Sequence, residues 1–289
     1  MSDPTPAQEP PEPARPGEPR AEQRSAFGVD YRYIPTHDGG ELFLTRYGWP
    51  LRDHLLPERW YDDHYYSAGG ERLAGSTGTV YHVLPKPNAS RIEPIELVVK
   101  FCRVGMDVPL MVTGDMTDRV DEEAIGAANF HGPFHEFGLV MELRRRTGMK
   151  VLTKRPFAIF SPGKRYDAWQ LGRSRFRFNR AAKRLARDQA DAPRPIALDI
   201  RRDYLVLFGW VHGVDAERAA ADGWVPEDEL SRLTHDSVDD LEAHGFRVLD
   251  HKPKHLIVRR RRGRDELVRR RDGRIAYALI DFELLEKLD

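Results

Sequence analysis

The chain predicts an α+β fold, and three observations carry that expectation. Short runs rich in β-branched and aromatic residues, bounded by Gly and Pro turns, recur through the first two thirds of the sequence. Two longer stretches carry apolar residues at helical spacing. The order is strands, helix, strands, helix, then a β-hairpin at the end.

Composition bounds the class. At 289 residues and 40% hydrophobic content the chain can bury an ordinary core, as one large domain or two small lobes. No apolar run approaches the length needed to span a bilayer. Formal net charge is zero, which argues against nucleic acid or a membrane surface as an electrostatic partner of the whole molecule. A single cysteine, Cys102, excludes an intrachain disulfide framework, and its apolar neighbours make it a small core residue. With no apolar leader at the N-terminus, a reduced cytoplasm is the expected location.

Taken in order, residues 1–25 are Pro, Glu, Ala and Arg with little to bury, and read as a disordered tail. Residues 26–70 form an N-terminal extension. It holds strands in "VDYRYIP" and "GELFLTRYGWP", a turn in "THDGG", and a helical turn in "LRDHLLPERWYDDHYY". From Glu71, "ERLAGSTGTVYHVL" and "IELVVKFCRV" are two further strands joined by "PKPNAS". "FHEFGLVMELRRR" reads as a helix, with arginines at its C-terminal end, where cations meet the negative pole of the dipole. "VLTKRPFAIFSPG" and "DYLVLFGWVHG" are strand-like, and a basic helical insertion at about 165–190 separates them. In that insertion Trp169, Phe176 and Phe178 read first as packing on the host and second, among the basic residues, as a binding surface. "PEDELSRLTHDSVDDLEAHG" opens with Pro and acids and ends on Gly, as helices do, with Leu230, Leu233, Val238 and Leu241 as its buried stripe.

Several residues are candidates for chemistry. Gly75 and Gly78, with Val80 after them, lie between strand residues, where glycines let backbone N–H groups approach a phosphate; plain hairpins use the same residues. Lys100 sits inside an apolar strand, a costly place for a cation that has no anion to meet, unless the strand is an edge and the lysine faces water. Glu136, on the following helix, is a suitable partner. Near the C-terminus, "VLDHKPKHLIV" presents Asp250 and Lys252, and "ALIDFELLE" presents Asp281. Two carboxylates at adjacent loop and strand ends, with a lysine beside one, suit phosphoryl transfer. One orients an attacking hydroxyl, the other holds a metal, and the lysine balances developing charge. His131, His135 and His212 lack metal-ligand spacing. The arginines of "RRRRGRDELVRRR", Arg259 to Arg271, read first as a solvated hairpin and second as a grip on phosphate.

In this order the motifs resemble the eukaryotic-like protein kinase superfamily, over roughly residues 71–286. "GSTGTV" resembles the second half of the glycine-rich loop, with Leu73 at the family's first glycine. "LVVK" resembles the strand carrying the nucleotide-binding lysine, Lys100, and the helix from Glu136 the element that pairs it. "YLVLFGWVHGVDAE" resembles the adenine-holding hinge, which implies backbone contacts from Gly209 and Val211 and a ribose contact from Asp215. "VLDHKPKHLIV" resembles the catalytic loop, which implies Asp250 as base and Lys252 as phosphate contact. "LIDFE" resembles the metal-binding motif at Asp281, with His255 standing where a second metal-binding residue, an Asn, is usual. The departures are Val248 and Leu249 for the His-Arg pair, His255 for Asn, Glu283 for Gly, and no activation segment or Ala-Pro-Glu motif before Asp289.

The resemblance implies a protein-kinase-like bilobal fold. Its β-rich N-lobe would be residues 71–208, and residues 209–289 the hinge with a truncated helical C-lobe. It implies ATP with Mg²⁺ or Mn²⁺, and phosphotransfer to a hydroxyl in the Ser/Thr-kinase style that Lys252 favours. The alternative is a pseudokinase, a nucleotide-binding or scaffold module in a complex, with a protein partner completing or using the C-lobe. Nucleic acid through Arg259–Arg271 is the weaker expectation.

Overall fold

The computed structural model describes residues 21–61, 70–73, 79–87, 95–108, 128–146 and 150–288. The strands are β1 (Glu22–Ala26), β2 (Val29–Pro35), β3 (Glu41–Leu44), β4 (Gly70–Arg72), β5 (Val80–Val83), β6 (Leu97–Phe101), β7 (Leu152–Thr153), β8 (Pro156–Ser161), β9 (Leu205–Gly209), β10 (Val214–Asp215), β11 (Phe246–Val248), β12 (Leu256–Val258), β13 (Tyr277–Leu279) and β14 (Leu285–Lys287). The helices are α1 (Arg52–Leu55), α2 (Pro133–Arg145), α3 (Arg175–Asp188), α4 (Ala216–Ala221) and α5 (Glu227–Glu242). This is the α+β class read from the sequence.

One antiparallel sheet of eight strands, in the order β1-β2-β3-β8-β9-β6-β5-β4, organises the described residues up to Gly209. Its first strand corrects the expected tail, since Glu22–Ala26 pairs in full with β2. β1 escapes a search for apolar runs because it reads EQRSA. A two-residue turn, Phe27-Gly28, creates it, with φ of 50° and 68° at the two positions. Two positive φ values match the right-handed twist of the flanking strands. Phe27 tolerates its unusual angle because its N–H donates to Asp188 on α3 and its ring lies 4.7 Å from that of His135.

Alternation along the central strands divides two cores. Tyr31, Phe43, Ile159, Val206 and Phe208 face α2, where Phe134, Phe137 and Met141 meet them. Leu42, Leu44, Val99, Phe160, Leu205 and Leu207 face the other way, onto Leu55 and Trp60. The run "LVLF" is apolar throughout because β9 is buried on both faces. By the same period of two, Lys100 falls on the face of Val98, toward α2. Since β6 lies between β5 and β9, Lys100 is interior rather than at an edge.

The C-terminal part is a second, smaller assembly. β10, β12, β13 and β7 form a four-stranded sheet, β11 pairs with β14, and α4 and α5 pack on them around Leu233, Leu241, Phe246, Tyr277 and Phe282. No helix among the described residues is long and apolar enough to cross a membrane. The arginine-rich segment is the distal end of the β12–β13 hairpin, and α5 holds much of it. Arg269 donates twice to Glu229, Arg274 to Asp236, and Arg270 to Asp240. Asp240 also accepts from Tyr277 Oη at 2.7 Å, and Arg260 stacks on Trp224 at 3.8 Å.

Those pairs differ in burial, so they differ in consequence. Asp240 is 8% exposed, and Asp240→Ala strands both a guanidinium and a phenol; it is expected to cost about 3 kcal/mol. Asp236→Ala, removing a half-exposed pair, costs no more than about 0.5 kcal/mol. Urea unfolding of the two variants checks the contrast.

Candidate functional site

The hairpin register builds the site. Leu256 pairs with Leu279, so the segment before β12 and the segment after β13 leave the same end of the hairpin. Ile280 N–H donates to the His255 carbonyl at 3.0 Å, and Leu249 N–H to the Leu284 carbonyl at 3.1 Å. These bonds hold the Asp250 loop against Asp281. The loop is also anchored from α5. Ser237 Oγ–H donates to the Thr234 carbonyl, so the hydroxyl oxygen accepts from His251 Nε2 at 2.6 Å.

Asp250, His255 and Asp281 each offer one ligand atom, all within 4.8 Å of one another. Burial pushes His255 down to about 4, so its imidazole is neutral at pH 7, and its Nδ1 is buried without a hydrogen-bond partner. A neutral nitrogen with two carboxylate oxygens fits a divalent ion, and imidazole is a poor ligand for Mg²⁺ and a better one for softer metals. Burial, and then the charge of Asp281, pushes Asp250 up to about 7. Asp281 shifts the opposite way. Burial alone would raise it, but the adjacent Lys100 ammonium holds it well below the usual carboxylate range.

Lys100 reaches this group from β6. Its Nζ lies 2.8 Å from Asp281 Oδ1 and 3.2 Å from Glu283 Oε1. Burial disfavours its charge, but Asp281 and Glu283 more than compensate, so its pKa is raised. The expected Lys100–Glu136 pair is not the one formed. Glu136 is buried on α2 with Oε1 lacking a hydrogen-bond partner, and burial raises its pKa. The reason is Glu283, which stands where the resemblance places glycine and brings a second carboxylate to the lysine. Arg103, two residues beyond β6, clamps the other oxygen of Glu283 and lies 3.9 Å from the Phe130 ring centroid.

A cavity of about 470 Å³ opens beside this charge cluster. Lys100, Arg103, Lys252, His255, Asp281 and Glu283 are in its lining, together with Val80, Val98, Ile257, the 209–215 segment and, from α4, Glu217 and Arg218. Gly213, at φ 143°, lets that segment press against β12, where a Cβ would meet Val258 O at 2.3 Å. Of the hinge expectations, Gly209 N–H is already spent on the Arg155 carbonyl, and Val211 lines the cavity. Asp215 lines it too, but one oxygen caps α4 by accepting from Arg218 N–H at 2.8 Å. Lys252 Nζ stands 4.0 Å from Asp250. Gly75 and Gly78 lie outside the described residues.

Two residues of the site had no sequence signal that singled them out. Arg103 is one. The other is Lys154, which is buried, lines the cavity, and carries its ammonium 3.8 Å from the Phe208 ring centroid. Burial and then the Lys100 charge bring Lys154 down to about 8.

Comparisons with known proteins add little to this geometry. No family model matches the chain, and no curated protein matches it. Among solved structures, the Mycobacterium tuberculosis protein Rv3197 in complex with erythromycin aligns at a TM-score of 0.27 and 14% identity, over 83% of this chain and 52% of that one. The chain therefore spans about half the length of that solved protein.

Proposed function

We propose that the chain binds ATP and transfers its terminal phosphoryl group to a hydroxyl, in the manner of the protein kinases that its motifs resemble. The eight-stranded sheet with α2 would then be the β-rich lobe, and the segment from residue 209 onward the hinge and a reduced second lobe. One observation carries the reading: Lys100 of β6, Lys252 and His255 of the loop before β12, and Asp281 after β13 line a single cavity that Val80, Val98 and Ile257 line as well, and Asp250 has a ligand atom within 4.8 Å of those of His255 and Asp281. An amphipathic ligand with a flat base and a polyanionic tail has that polarity. The volume also lies in the range of about 300–1,000 Å³ typical of such ligands.

In this mechanism Val80, Val98 and Ile257 enclose the base, Val211 offers it a backbone group, and Lys100 and Lys252 approach the phosphates. Asp281 and His255 would hold a divalent ion, which when bound would offset the charge that develops on the phosphate oxygens. Asp250 accepts the proton of the attacking hydroxyl as the new oxygen–phosphorus bond forms and the bond to the departing diphosphate breaks. A base with a pKa near 7 is suited to that task at neutral pH.

A second reading, a scaffold that holds nucleotide without transfer, is favoured by the closed set Lys100–Asp281–Glu283–Arg103. There the lysine that should meet phosphate is satisfied by carboxylates.

Thermal shift separates nucleotide binding from its absence. ATP with Mn²⁺ at a hundredfold its Kd stabilises the protein by about 2.7 kcal/mol, and Lys100→Ala removes the effect; a wild-type protein indifferent to ATP with either ion sinks both readings. ADP formation separates them from each other. Asp250→Asn keeps the thermal shift and loses turnover by roughly a hundredfold or more, whereas a scaffold has no turnover to lose. The pH profile is a further check. Since the folded pKa of Asp250 is raised, the base is protonated at low pH, so kcat/KM rises through about 7 and then levels. An inflection near 4 would remove Asp250 from that role.

A further inference from the structure

The inserted helix α3 presents an unusual outer face. At about 100° per residue, Phe176, Arg180, Lys183, Arg184 and Arg187 fall within one arc of about 100°, opposite the buried Phe178 and Leu185. Arg184 rests against His135, Nη1 to Nδ1 at 3.3 Å. Arg180, Lys183 and Arg187 have no side-chain partner among the described residues. The carboxylates nearby are committed: Asp188 accepts the Phe27 N–H, and Glu286 is held by Arg247 at 3.1 Å. The four cations form one wall of a cavity of about 480 Å³, separate from the nucleotide cavity and floored by Phe27, Phe134 and His135. Phe176 stands among these cations at 74% exposure, and Trp169, on the turn leading into the helix, is 76% exposed. The expectation that both would pack on the host is corrected, and Phe178 alone does so.

From this juxtaposition we propose that α3 and the turn before it bind single-stranded nucleic acid without sequence preference. Cations along one face track a phosphate backbone, and solvent-facing aromatic rings offer flat platforms for unpaired bases. An acidic peptide would satisfy the cations but leave Phe176 and Trp169 without a reason to face water. A duplex would satisfy the phosphate contacts but keeps its bases stacked away from the rings. Arginine, in excess over lysine here, suits phosphate because its planar fork donates two parallel hydrogen bonds. The proposal does not rest on the ATP site.

Fluorescence anisotropy of a labelled single-stranded oligoribonucleotide of mixed sequence tests it. The full chain binds, and binding weakens linearly in log–log form as salt rises. Arg180→Glu, Lys183→Glu and Arg187→Glu combined weaken binding by about a hundredfold or more and flatten the salt slope, while circular dichroism and the ATP thermal shift stay unchanged. Phe176→Ser and Trp169→Ser each weaken binding roughly tenfold, with the slope kept. No binding at low salt overturns the proposal. So does equal competition by polyglutamate with Phe176→Ser silent, which assigns the face to a protein partner. Loss of binding through Arg261→Glu and Arg262→Glu, with the α3 variants silent, moves the contact to the other arginine segment and overturns it as well.

Discussion

The structure depends on one buried exchange of charge between residues about 180 positions apart. Lys100 and Arg103, at the end of a central strand, meet Asp281 and Glu283, at the end of the C-terminal hairpin. This links the large sheet to the small one at the floor of the cavity. Buried ion pairs contribute little net stability, because desolvation offsets attraction, but removing one partner leaves a buried charge at a cost of about 3–5 kcal/mol. The cluster therefore acts mainly as a register device: any docking of the two sheets that misaligned the four side chains would strand several charges at once.

The same set of charges accounts for the opposite behaviour of two aspartates a few ångströms apart. Asp281 touches an ammonium and stays ionised; Asp250 faces Asp281 and meets Lys252 and Lys100 without a direct hydrogen bond to either, so burial governs it. Environments that drive neighbouring carboxyls apart distinguish a metal-holding group from a proton-accepting one. Lys154 adds a third cation whose charge is only partly favoured, resting on the Phe208 ring beside Glu136. An arriving phosphate would give Lys100 an alternative to its carboxylates. Asp281 would then be free to face an ion, so ligand and metal would reinforce one another in the cavity.

Much of the framework was legible because it is local. β2 and α2 begin and end within a residue of their motifs, and Lys100, Asp250 and Asp281 stood out as charges inside or beside apolar strands. What was not legible is partner choice. Glu136 was an apt neighbour for Lys100 by motif order, but Glu283 competes for the same lysine, and no spacing rule relates 283 to 100 or 103. β1 was missed for a related reason: its strand character comes from pairing with β2 across Phe27-Gly28, not from its own polar sequence. Trp169 and Phe176 were misjudged because an aromatic residue reads the same whether its ring faces a core or water.

The two arginine-rich segments show how one composition reaches two outcomes. Glu229, Asp236 and Asp240 lie at i, i+7 and i+11 on α5, one helical face, and Arg269, Arg274 and Arg270 of the β12–β13 hairpin close onto them. On α3, Phe176, Lys183 and Arg187 repeat the spacing i, i+7 and i+11, but among the described residues the carboxylates near them, Asp188 and Glu286, are held by other groups. In the first case the chain provides its own counter-charges, and the arginines become part of the fold. In the second the repulsion among cations is left to solvent and salt, and an apolar ring remains exposed in their midst. Folding alone gives no account of that arrangement, whereas a ligand carrying regularly spaced negative charge and flat apolar surfaces would relieve both costs together.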